Sequence, residues 1–315
     1  ATNQRSMISS IVSDMPCGNA VPVLQPANQM IRAIGLAAVC NSFVFDFAFR
    51  ARLGGLNLNY YVVSQAALPP PNSIPEKLIR MTASLALANQ SYCAVWQNLR
   101  SLDPCVAIAP NKWPITSHER LRLRCMVDAV MAVLQGLDRA DVRWVLKDCD
   151  HSLGCMSEKD FCRKLDPKGF WRVDKAEDPV LRHTVLSVAA FDDLQKCIAL
   201  AGGDRDAGIE AFCSQNDGDG WMLPETLCIA DLGMTRTVDI GVYDESARTS
   251  QPVRSRMGPR FLDWQLAQTP EESWAECERH AKAIMEGLPT VSPGQPSKKN
   301  VERKVVQDDL FAELE

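Results

Sequence analysis

Apolar side chains recurring every three or four residues, in stretches cut apart by proline, glycine and N-capping residues, constrain this chain more than any other feature. Residues 28–50 show the pattern with Ile31, Ile34, Ala38, Phe45 and Phe49, and Asn41-Ser42 is a natural break within it. Glu76–Leu99 is a long amphipathic stretch and Ser117–Leu137 a second. Asp138–Lys147 is a shorter third, with Asp138 placed to cap it. After a loop-rich zone from Cys149 to Asp178, helical spacing resumes over Pro179–Leu200, Asp204–Ser214 and Pro270–Leu288. Residues 289–315, with Pro289, Pro293 and Pro296, read as a flexible tail ending in the acidic-apolar Asp308–Glu315.

Strand signals are confined to the first seventy residues. Met7–Val12 and Ala20–Leu24 are short runs containing β-branched residues, divided by the turn-forming Pro16-Cys17-Gly18-Asn19. Gly54-Gly55 stops the preceding helix, and Leu56–Val63 alternates polar and apolar positions like a strand. The expected fold class is therefore α+β, a small mixed α/β N-terminal unit followed by a mainly helical region. Its expected divisions are 1–72, 73–148, 149–288 and the tail 289–315.

Hydrophobic residues at 46% and charged residues at 23% are the profile of a soluble globular protein. No run approaches 18 uninterrupted apolar residues, so no membrane span is expected. The N-terminus lacks the layout of a secretory signal. The 12 cysteines sit singly, several of them inside apolar helical stretches, where a reduced thiol behaves as a small hydrophobe. A reducing, cytoplasmic location is the expectation. Net charge is −5 but unevenly spread: residues 1–150 carry 14 Lys and Arg against 10 Asp and Glu, whereas residues 201–315 carry 12 against 21. A nucleic-acid face would have to lie in the first two-thirds, because phosphate contacts need clustered cations.

One segment combines these signals. Asn41-Ser42-Phe43-Val44-Phe45-Asp46-Phe47 leads through Arg50 and Arg52 to Gly54-Gly55, then to Asn57-Leu58-Asn59-Tyr60, and closes at Leu68-Pro69-Pro70-Pro71. Two adjacent glycines permit close backbone approach, and the flanking arginines can reach a phosphate or simply be solvated. The segment resembles the start of the C-terminal specificity region of type IIG and related gamma-class N6-adenine DNA methyltransferases. Asn41, Ser42, Phe45, Gly54, Gly55, Leu58, Asn59, Tyr60 and Pro69 fall on that family's pattern, and the chain departs from it at Leu56-Asn57 and at Leu68-Pro69-Pro70-Pro71. Gly169–Lys175 leading to Leu181–Thr184 is similar to the far C-terminal portion of large members, some of them in phage defence. The resemblance is strong over about residues 30–71 and weaker to about residue 235.

The resemblance implies a target-recognition, DNA-binding portion of an adenine-specific methyltransferase of restriction–modification or phage defence. Its partners would be double-stranded DNA and an N-terminal or separately encoded methyltransferase domain. That domain would bind S-adenosylmethionine and receive the flipped adenine at an Asn-Pro-Pro-Tyr loop. This chain has no such loop, Pro69-Pro70-Pro71-Asn72 having the wrong order, and no glycine-rich βα turn. No catalytic residue and no bound cofactor are therefore expected. The residues expected at DNA are Arg50, Arg52, Asn57, Asn59, Arg172 and Lys175, with cations on phosphates and polar groups on base edges. Interleaved aromatic and basic residues at Gly169–Lys175 suit base stacking, although Phe170 and Trp171 equally suit a core plug. Arg120, Arg122 and Arg124 are distributed around a helix rather than along one stripe.

Metal binding is not expected. Cys149, His151, Cys155 and Cys162 lack the paired short knuckles of structural zinc sites. The Asn216–Trp221 turn would put Cys228 where a calcium loop needs its bidentate Glu. The alternative function is a helical protein–protein adaptor of a defence complex, docking through the acidic residues 201–288 without touching DNA.

Overall fold

A computed structural model describes residues 4–12, 23–24, 30–53, 60–66, 68–70, 73–87, 92–102, 117–177, 179–218, 220–224, 226–227 and 251–252. In chain order the helices are α1 (Met30–Asn41), α2 (Phe43–Arg52), α3 (Tyr60–Ser64), α4 (Glu76–Ala86), α5 (Cys93–Leu102), α6 (Ser117–Leu134), α7 (Arg139–Val145), α8 (Leu153–Ser157), α9 (Lys159–Cys162), α10 (His183–Leu200), α11 (Arg205–Cys213) and α12 (Gln215–Gly218). Single 3-10 turns at Phe170–Arg172 and Pro179–Leu181 lie in the connection before α10. The only ladder among the described residues pairs Thr226–Leu227 with Gln251–Pro252, two residues a side, too small to form a layer.

The α+β expectation is thus overturned; the described fold is all-α. Residues 4–12 are neither helix nor strand and have no partner strand among the described residues. Side chains serve their backbone instead: the Ser6 N–H donates to both oxygens of Asp46 at 3.1 Å, and the Ser9 N–H to Asn41 Oδ1 at 3.0 Å. Asn41 Nδ2 returns a bond to the Ser9 carbonyl at 3.0 Å, so one amide side chain does the work of a neighbouring strand. The expected strand over Leu56–Val63 is also corrected where it is described, because Tyr60–Ser64 is helical. Val62 points inward and Tyr61 is exposed, a pattern that alternation over so few residues does not distinguish from a strand. Ala20–Pro22, Gly54–Asn59, Pro270–Leu288 and the tail 289–315 lie outside the described residues.

The break inside 28–50 falls at Asn41-Ser42. Ser42 has β-region torsions, its hydroxyl accepts the Phe45 N–H at 3.2 Å, and the axes of α1 and α2 differ by 72°. The Glu76–Leu99 stretch divides into α4 and α5, with Trp96 Nε1 donating to the Leu87 carbonyl at 2.9 Å, where α4 ends. Asp138 caps α7 in a reciprocal capping box with Asp141. Asp204 caps α11 by accepting the Asp206 and Ala207 N–H groups, both at 3.0 Å.

Two helices form the centre. Every residue of α10 from His183 to Phe191 is buried, and α6 is buried over most of Leu121–Val133. A helix apolar on all faces belongs inside a core, and α6 and α10 pack against each other with the remaining helices around them. One hydrophobic cluster runs from Met7 through both to Leu223. No single described helix is long and apolar enough to cross a membrane.

Close approach of α11 to α10 depends on Gly208, where a Cβ would lie 2.6 Å from Ile198 Cα and 2.4 Å from its Cγ1. Alanine gains about 1 kcal/mol of helix propensity over glycine, but a clash with backbone must move a whole helix, and overpacking typically costs about 1–3 kcal/mol. Gly208→Ala is therefore expected to lower stability in urea unfolding. At Gly35 a Cβ would meet only the Ile74 side chain, its Cδ1 methyl at 3.1 Å, so Gly35→Ala should be milder; equal effects would contradict the close-packing account.

Candidate functional site

Two carboxylates converge on the first turn of α2. Asp46, fully buried, accepts Arg5 Nε at 2.6 Å on Oδ2 and Arg50 Nε at 2.9 Å on Oδ1. Asp128, from α6, accepts the Phe43 N–H at 2.8 Å on Oδ1 and has His183 Nε2 at 2.8 Å from Oδ2. A helix N-terminus favours negative charge because its N–H groups lack internal partners. Aromatic rings fill the space between the charges. Phe43 meets Phe170 edge-on at 4.9 Å and tilts against the His183 ring at 4.7 Å. The Arg5 guanidinium sits 4.5 Å from the Phe43 centroid, and that of Arg50 sits 3.9 Å from that of Phe170.

The guanidinium of Arg50 is consumed internally. Beyond Asp46 it donates to the carbonyls of Lys168 and Gln4, and the residue is only 6% exposed. It is not a surface group available to phosphate, contrary to expectation; burial pulls it below its usual value and Asp46 opposes that shift. Arg52, two residues beyond, is exposed at the end of α2, and Lys175 is exposed in the later loop. Arg172 is half-buried, its guanidinium 5.9 Å from the Trp171 ring. Asn57 and Asn59 lie outside the described residues.

The aromatic pair at Gly169–Lys175 also moves inward. Phe170 and Trp171 are buried, and Trp171 Nε1 donates to the Asp166 carbonyl at 2.7 Å. They plug the core and are not free to stack on bases. Gly169 permits this fold-back, since a Cβ there would lie 2.8 Å from Trp171 Cδ1. The loop is locked from below by Arg182, itself fully buried, which donates to the carbonyls of Asp174, Glu177, Cys149 and His151. Arg122 is likewise internal, paired to Glu119 at 2.9 Å and to the Trp221 carbonyl at 2.7 Å.

The remaining candidates have local partners. Cys149 donates to the Lys147 carbonyl, Cys155 lies 3.2 Å from Ser152 Oγ, and Cys162 donates to the Met156 carbonyl. No group of three or more His, Cys, Asp or Glu among the described residues is arranged to hold a metal ion. Cys40, Cys125, Cys149, Cys155, Cys162, Cys197 and Cys213 are free thiols, and burial pushes Cys40, Cys149 and Cys213 up to about 12. Those three are protonated at neutral pH and poor nucleophiles. A cavity of about 10 Å³ touches Phe43, Asp128, Ala132, Val145, Ser187 and Phe191. That is room for about one water, against roughly 300–1,000 Å³ for small-molecule sites.

Sequence reading missed the centre of this cluster. Arg5, Asp46 and Asp128 carried no motif, although Asp46 and Arg50 stand four apart, as do Arg124 and Asp128, spacings that put each pair on one helix face. No protein-family model, curated protein or solved structure matches the chain.

Burial lowers the pKa of His183, with Asp128 opposing and Arg124 and Arg5 adding to the lowering. The unfolded chain therefore takes a proton on this ring below about pH 6.5 that the native ring resists, and stability falls as pH drops through that range. His183→Gln should flatten that slope in urea unfolding measured at several pH values. An unchanged slope would show that His183 contributes none of it.

Proposed function

We propose that this chain engages double-stranded DNA and positions it for an N6-adenine methyltransferase domain, as the target-reading portion of such an enzyme in restriction–modification or phage defence. What carries the reading is a juxtaposition. Two segments expected separately at DNA, one with Arg50 and Arg52 and the other Gly169–Lys175, are drawn together by the bond from Arg50 to the carbonyl of Lys168, the residue before the second segment, across 118 positions of sequence. Arg50 itself is spent in making that contact. Its effect is to join the end of α2, where Arg52 is exposed, to the loop in which Lys168 and the later Lys175 are exposed.

A cationic edge of this kind supplies phosphate contacts, which fix orientation on the duplex without reading sequence. Base reading falls to Asn57 and Asn59, which stand in the segment the resemblance covers. The cavity at the cluster is far below substrate size, in keeping with a surface that binds rather than transforms. S-adenosylmethionine and the methyl-transfer step belong, on this reading, to the methyltransferase domain.

Mobility shift of a duplex oligonucleotide across a salt series tests it. Binding should weaken steeply with salt, because each neutralised phosphate releases counterions. Arg52→Glu combined with Lys168→Glu should reduce affinity by about tenfold or more at low salt while leaving the thermal midpoint nearly unchanged, both residues being exposed. Absence of wild-type binding at low salt would replace this reading with the protein-facing adaptor.

A further inference from the structure

Three guanidiniums face two carboxylates at the α2 terminus, and one of the three is exposed. Asp46 is saturated by Arg5, Arg50 and the Ser6 N–H. Asp128 is occupied by the Phe43 N–H and by His183. Arg124 precedes Asp128 by one turn of α6 and therefore lies on the same face. The Asp128–Phe43 bond seats that face against the start of α2. Arg5 approaches the same turn from the other side, its Nη2 donating to the carbonyls of Asn41 at 2.6 Å and Ser42 at 3.1 Å. Arg124 is exposed and forms no hydrogen bond or ion pair among the described residues; partial burial of its guanidinium pulls its pKa down first, Asp128 opposes that, and the Arg5 charge adds to it. Three guanidiniums, of Arg5, Arg50 and Arg124, against the two carboxylates of Asp46 and Asp128 leave a positive excess here.

We infer that Arg124, standing beside Arg5 over the first turn of α2, is a point at which this chain holds a phosphate group of a nucleic-acid backbone. The inference rests on the DNA reading above for its ligand. A guanidinium presents its N–H groups in a planar fork that matches phosphate oxygens. The one offered here is set in a region of positive excess because both nearby carboxylates are already committed. Arg5 is fixed by its bonds to Asp46 and two carbonyls, so it adds field without moving. Arg124 keeps its side chain available to make the contact. The site belongs to α6, whose alternating Arg120-Leu121-Arg122-Leu123-Arg124 gives no sign of it in sequence. Arg122 is buried and paired, Arg120 donates to the Leu85 carbonyl at 3.1 Å, and of the three Arg124 is left facing outward.

The test uses the full chain with Arg124→Ala and Arg124→Lys, each checked for an unchanged thermal midpoint. Salt-dependent binding of a duplex oligonucleotide should show the logarithmic slope falling by about 0.9 in Arg124→Ala, the loss of one phosphate contact. Arg124→Lys should keep most of the slope. An Arg124→Ala slope and affinity equal to wild type, with wild type binding duplex, would overturn this inference and leave the DNA reading intact. If wild type binds no duplex, the DNA reading fails and inorganic phosphate decides the site separately. His183 ring signals, among only four histidines, should then shift on phosphate addition in wild type and not in Arg124→Ala. No shift in either, or an equal shift with a polyglutamate peptide, would overturn it.

Discussion

A single buried carboxylate, Asp46, anchors the N-terminal segment directly and the Lys168 loop through Arg50 to the start of α2. Fully buried, it is stable as an anion only because two guanidiniums and a backbone N–H converge on it. Each partner then reaches further. Arg5 fastens the segment 4–12 to the α1–α2 corner, and Arg50 draws in the loop at Lys168. Stacking of both arginines on Phe43 and Phe170 lets them lie in an apolar core while their charge is spent on Asp46. A packed core, an N-terminal strap and a remote loop therefore share one electrostatic anchor.

Arginine serves the same purpose twice more. Arg122 ties α6 to the chain at Trp221, and Arg182 gathers four carbonyls of the loop between Cys149 and α10. That loop contains only short helices and 3-10 turns, so most of its carbonyls have no intrahelical donor. A five-donor guanidinium is the side chain best able to satisfy several at once. The internal use of Arg50, Arg122 and Arg182 also changes the charge that solvent sees: the cations facing it are those left over, among them Arg52, Arg124, Lys168 and Lys175.

Helix positions were largely legible because their determinants are local. Ser42, Asp138 and Asp204 cap helices through bonds to residues two or three positions on. The apolar runs of α6 and α10 likewise announce helices without reference to anything distant. Strand identity is different. A strand exists only if another backbone lies alongside, and among the described residues neither Met7–Val12 nor Tyr60–Val63 has one. The first is served by Asn41 and Asp46 side chains, and the second closes its bonds within a helical turn.

Local sequence fixes the caps at Ser42, Asp138 and Asp204, the apolar faces of α6 and α10, and the corner at Asn41-Ser42, but neither the division of Glu76–Leu99 nor the helix at Tyr60–Ser64. Tertiary structure alone decided which charged and aromatic groups face water. Arg50 and Arg52 stand two apart with the same chemistry, yet one is sealed against Phe170 and the other is exposed. Phe170 and Trp171 look equally suited to stacking on a base or to filling a core, and the space beneath α2 settles it. The reason is that hydrogen bonds within one helical turn are set by neighbours in sequence, whereas the fate of a long side chain depends on what a distant segment of the chain places within its reach, as Lys168 does for Arg50.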